Sequence, residues 1–211
     1  MTRAWLLMLG SFATVAFATI LLAIVPEVAL VEAPAPEGLE PYTASESRGR
    51  QVYIREGCIY CHTQQIRDPS FTTDVERGWG TRASVPGDYV YDSPHLLGTM
   101  RTGPDLTNVG ARLPSRAWHL LHLYNPRAVV EWSIMPAFPY LFEAKDSSDV
   151  ASDEVVVPVG APHAPAGKVI VATPDALALV DYLLSLDRTY PVEPPAGGHA
   201  AGAGRSAHTM P

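Results

Sequence analysis

The stretch Gly57-Cys58-Ile59-Tyr60-Cys61-His62 decides how the rest of this chain is read. It holds both cysteines of the sequence, spaced C-x-x-C, with a histidine directly after the second. Two thiols about one helical turn apart can add to the two vinyl groups of one porphyrin edge, and the next residue then lies under the macrocycle, where its imidazole can bind iron. Cys58, Cys61 and His62 are therefore the expected attachment points and proximal ligand of one covalently attached haem c. A thioredoxin-like thiol pair would want a preceding β-strand and gives no reason for His62. A zinc half-site would need a second Cys/His pair at ligand spacing, and none appears.

The 211 residues suffice for one domain plus an anchor, and the net charge of -7 argues against a nucleic-acid partner. Twenty prolines and sixteen glycines point to a loop-rich fold. With both cysteines assigned, no structural disulfide is expected. Haem is attached to such motifs outside the bacterial cytoplasmic membrane, so an export signal is expected, and Ala4 to Val25 is apolar without a charge. That run is long enough to cross a hydrocarbon core of roughly 30 Å. Arg3 precedes it and Glu27, Glu32 and Glu37 follow, which places the N-terminus in the cytoplasm and the rest in the periplasm. Cleavage after Ala16-Phe17-Ala18 is the competing reading, but the run exceeds the apolar core of a signal peptide, so a retained single-pass anchor is expected.

This gives an anchor over residues 1–26, ended by Pro26, and an extended Pro/Ala linker over 27–42. A domain over 43–189 and a disordered Pro/Gly/Ala tail over 190–211 follow. Thr43 or Ser45 caps a helix to about Glu56, in which Gly49 implies a close helix crossing, and Gly57 closes it. The run from Thr63 to Met100 has no regular periodicity and reads as a long, ordered excursion. Ser115 caps a helix from Arg116 to Tyr124, stopped by Asn125-Pro126, whose His119 and His122 read as ordinary partly buried histidines. An insertion over about 143–172 carries Val155-Val156-Val157 and Val169-Ile170-Val171 as a small hairpin. Thr173-Pro174-Asp175 then opens a helix to about Leu186.

Three further residues suit a haem. Pro104, in a Gly-Pro turn, has a carbonyl that can accept the Nδ1–H of His62 and aim Nε2 at iron. Arg101 can pair with a propionate, or stand as a solvated surface arginine. Met135, directly before Pro136 in an aromatic loop, suits a thioether over the distal face, with Met100 the competitor among the five methionines.

Gly49 to Cys58, Gln65-Ile66-Arg67, Val90-Tyr91-Asp92, Arg101 to Leu106, Leu123 to Arg127 and Met135-Pro136-Ala137, in this order, resemble the membrane-anchored monohaem subunit of cbb3-type haem–copper oxidases. The resemblance implies a mainly α fold: one N-terminal transmembrane helix and a class I cytochrome c domain. It implies His62 and Met135 as axial ligands, with Pro104 and Arg101 serving the haem. The implied partners are a membrane-embedded catalytic subunit, a further cytochrome c subunit and an external donor cytochrome, the chain itself having no oxygen-reducing site. The small cytochrome c subunit of a nitric oxide reductase shares the anchor and a similar Gly-Pro turn. A free membrane-tethered electron shuttle is the other rival, for which the linker is short.

Overall fold

The structure, a computed structural model, describes residues 3–31, 33–160, 163 and 165–192; from residue 193 onward the expected disordered tail lies outside the described residues. Helix α1 (Ala4–Thr19) passes through a π-helical segment (Ile20–Ile24) into α2 (Val25–Val31). Ala4–Val28, with a mean hydropathy of 2.3 and no buried residue, is long and apolar enough to cross a membrane. Pro26 does not end the helix, contrary to the sequence expectation. A proline removes one N–H and crowds the carbonyl four residues back. The π-helical register just before it, in which the Val25 N–H reaches Ile20 O, moves the backbone out of that conflict.

The connection from Ala33 to Tyr42 is laid against the domain. Leu39 is buried, its N–H bonds Pro36 O at 3.1 Å, and Gly87 meets Pro34 and Pro36 so closely that a Cβ there would come within 2.6 Å of the Pro34 carbonyl oxygen. Glu27 in α2 reaches to 3.5 Å from His95 Nδ1.

Helix α3 (Ala44–Arg55) opens with a capping box: Thr43 Oγ1 accepts from the Glu46 N–H at 3.3 Å, and the Glu46 carboxylate accepts from the Thr43 N–H at 2.7 Å. After it come the short α4 (Val109–Arg112) and α5 (Arg116–Tyr124), the latter capped by Ser115 and ended at Asn125. Strands β1 (Phe142–Lys145), β2 (Val156–Val157) and β3 (Val169–Ala172) form an antiparallel sheet in the order β1-β3-β2. The valine runs pair as a hairpin, with Val156 opposite Val171 and Val157 opposite Ile170. The third strand is a correction: Phe142-Glu143-Ala144-Lys145 has little intrinsic strand preference and is recruited by β3. Helix α6 (Pro174–Ser185), capped by Thr173 with Pro174 in its first turn, is the last helix among the described residues.

The core lies where α3 crosses α6. Val52, Tyr53, Leu120, Leu179, Val180 and Tyr182 are buried there, and the Tyr53 and Tyr182 rings meet edge to face at 5.5 Å. Gly49 makes the approach possible. A Cβ at that position would fall on the Ala178 carbonyl and within 2.8 Å of Tyr182 Cβ. The excursion from Thr63 to Met100 is ordered by buried carboxylates. Asp88 takes both Nη atoms of Arg82, at 2.8 and 2.9 Å, and the Tyr190 hydroxyl at 2.9 Å. Asp92 takes Arg50 at 3.1 Å and the Tyr42 hydroxyl at 3.0 Å, which ties the excursion to α3 and to the connection from the anchor.

Gly49→Ala is expected to destabilise the domain by the upper part of the ~1–3 kcal/mol typical of an overpacked core, because the obstacle is backbone. Denaturant unfolding followed by near-ultraviolet circular dichroism measures it. A midpoint matching the parent would show that the helices can separate at no cost.

Candidate functional site

Helix α3 ends just before Gly57, whose φ of +72° is the left-handed conformation that turns the chain out of a helix without a Cβ penalty. Cys58–Tyr60 then form one 3-10 turn, with the N–H of Cys61 at 3.2 Å and that of His62 at 3.0 Å from Cys58 O. The turn brings Cys58 back against the core, leaves Cys61 exposed, and faces His62 into a cavity of about 590 Å³. Burial pushes the Cys58 thiol up to about 12, the reverse of the lowered value a thiol redox pair needs.

A second segment is laced to this one. Gly103 N–H bonds Cys61 O at 2.9 Å, and Leu106 N–H bonds Thr63 O at 2.8 Å. Between these two ties, His62 Nδ1 lies 2.7 Å from the Pro104 carbonyl oxygen. A carbonyl can only accept, so the proton sits on Nδ1 and Nε2 keeps its lone pair. Burial lowers the His62 pKa, partly offset by the Pro104 carbonyl and the charge of Asp105, so the ring is neutral at neutral pH. Gly103 lies flat against the ring: a Cβ there would stand 2.8 Å from Nδ1 and 2.9 Å from Nε2.

Met135 lines the same cavity, half-buried, its N–H held by Ser133 Oγ at 3.2 Å. Met100 is 59% exposed and is not among the lining residues. Helix α5 supplies Trp118, His119 and His122. His119 Nε2 is 2.8 Å from Leu113 O, and His122 stacks on Trp118 at 4.6 Å. Burial, then the neighbouring His119 and His62, pull His122 down to about 4, so it too is neutral.

Arg101 stands in neither of the places expected of it, and a second arginine stands where it was expected. Arg101 does not line the cavity. Its guanidinium pairs with Asp74, donates to Gln65 O at 2.7 Å and Thr63 Oγ1 at 2.9 Å, and lies over the Trp79 ring at 5.3 Å. Arg112, which sequence reasoning missed, does line it. One nitrogen donates to Asp105 O at 2.6 Å, while Nε is buried without a partner, and burial pushes its pKa below the usual guanidinium value. It has no carboxylate partner among the described ion pairs. The sequence signal was there, an arginine eight residues after Pro104, but only the fold of α4 turns it inward.

The volume lies within the ~300–1,000 Å³ of cofactor sites. A flat apolar ring suits it, given a glycine wall, a neutral imidazole, a thioether and an arginine with an unsatisfied N–H. A mainly helical domain behind one membrane-length helix, built around such a cavity, has the make-up of a membrane-anchored haem protein. The chain matches the profile of the FixO family, cytochrome c oxidase mono-heme subunit, over residues 1–169, and it belongs to that family. No curated protein sequence matches it.

Gly103→Ala is expected to lower haem content several-fold, because the methyl group must displace the His62 ring. Haem per protein in purified membranes, read as the pyridine haemochrome, checks this, and unchanged content would mean that the ring has room to move.

Proposed function

We propose that this chain is the membrane-anchored monohaem cytochrome c subunit of a cbb3-type terminal oxidase, passing electrons to a membrane-embedded catalytic subunit. The carrying observation is the neutral His62 ring, fixed by the Pro104 carbonyl, facing one apolar cavity with Met135, one turn after Cys58 and directly after Cys61. In this reading Cys58 and Cys61 would hold one haem c through thioether bonds, His62 Nε2 and the Met135 sulfur would bind its iron, and Arg112 would pair with a propionate. The haem supplies reversible one-electron exchange. The protein's part is to keep both ligand positions filled, exclude water from the ring faces and hold the geometry still between oxidation states.

The charge flanks of the anchor support a cytoplasmic N-terminus and a periplasmic haem domain. The connection packed against Gly87 supports a domain fixed over its anchor rather than swinging on a tether, as a subunit handing electrons to a neighbour in the same membrane requires. The donor in this reading is an external cytochrome, and a further cytochrome c subunit completes the complex.

Reduced-minus-oxidised spectra of the parent and Met135→Ala, in membranes of cells that mature c-type cytochromes, test the ligand assignment. The parent is expected to be low-spin, and the variant to turn high-spin or fall in reduction potential. A variant indistinguishable from the parent removes Met135, and a parent without a haem spectrum removes the whole reading. Purification of the parent is expected to bring down an oxygen-reducing core; a nitric-oxide-reducing core in its place would overturn the oxidase assignment.

A further inference from the structure

Asp105 follows the Pro104 carbonyl directly and is wholly buried. Its Oδ2 accepts from Thr63 Oγ1 at 2.5 Å and from the Gln65 N–H at 2.9 Å, and its Oδ1 accepts from the Thr107 N–H at 2.8 Å. Every one of these contacts is a donor, the environment of an acceptor-only carboxylate. Thr63 is the residue after His62. One carboxylate therefore clamps the residue beside the histidine to the residue beside its hydrogen-bonding carbonyl.

The nearest countercharge is Arg101, whose Nη2 stands 3.8 Å from Asp105 Oδ2 while its closer partner is Asp74, itself buried. Asp74 also accepts from the Arg67 N–H at 2.8 Å. Burial raises the Asp74 pKa, but the Arg101 hydrogen bond and the Arg67 amide outweigh it and hold it below the usual carboxylate value. Arg112 touches only the backbone oxygen of Asp105, not its carboxylate.

We propose that Asp105 is the positioning residue and fixed charge behind the iron bound through His62, lowering its reduction potential, with Arg101 as the opposing charge. The inference rests on the proposed function above. Oxidation leaves one more positive charge at the iron, so a buried anion on the ligand side favours the oxidised form and a buried cation the reduced form. Such groups are little screened by salt.

Redox titration of the purified full chain, with Asp105→Asn, Arg101→Gln and Thr63→Val beside the parent, tests this. Asp105→Asn is expected to shift the midpoint upward and Arg101→Gln downward. Thr63→Val, which removes a hydrogen bond but no charge, is expected to shift it by less than either, and all shifts are expected to persist at high ionic strength. Mere loosening of the His62–Pro104 contact would move the two charge variants in the same direction, and that result, or no shift, overturns the proposal. If Asp105→Asn loads no haem, the sign of the Arg101→Gln shift decides alone. A parent lacking a low-spin haem spectrum removes the underlying reading; a parent with one and unshifted variants removes only this inference.

Discussion

The contact between the His62 ring and the Pro104 carbonyl is the constraint on which the site depends. It is short, 2.7 Å, and it is not free to relax, because backbone hydrogen bonds on either side hold both residues in register. A histidine alone in a cavity would sample rotamers and tautomers. Here one backbone acceptor selects the tautomer, and Gly103, with no side chain, lets the second segment come flush against the ring. The energy of one hydrogen bond is modest, about 1 kcal/mol net. Its leverage comes from the frame, since breaking it means separating two laced segments.

That frame is carried by the crossing of α3 and α6, from which the Cys58 turn departs, and by the excursion between Thr63 and Met100. The excursion has little regular structure, yet Asp74, Asp88 and Asp92 are all buried in it with arginine partners. Buried ion pairs of this kind contribute little net stability but strongly penalise alternatives that strand one partner. They give a loop-rich segment a single arrangement without a helix or a strand to impose it.

Much of this was legible in the residues, and the reason is locality. Thr43, Ser115 and Thr173 cap their helices through bonds to residues three positions on, so a short window contains the whole interaction. Gly49 announces a close approach without naming its partner. What was not legible depends on distant segments. The helix survives Pro26 because of the π-helical turn before it, and β1 exists because β3 lies beside it. Arg101 and Arg112 have equal chemical claims on an anion as sequence. Asp74, brought in by the folding of the excursion, occupies the first, and α4 turns the second toward the cavity.

The two sides of the cavity are built to different standards. The His62 side is bonded through the backbone to a buried segment, whereas the Met135 loop is held at its ends, by the Phe138 N–H on Leu123 O at 2.9 Å and the Ser133 N–H on Val130 O at 2.9 Å. Along this stretch Trp132 and Ile134 stand 83% and 74% exposed. A segment with few buried contacts opens at lower cost than the core it borders. The histidine frame is thus part of the fold itself, while the methionine loop touches the core through Met135 and Phe138 and is otherwise largely exposed. Bonding of the sulfur to iron would add a further tie to this loop, so in the proposed reading the cofactor completes the tertiary structure on one side of a site whose other side the polypeptide has already made.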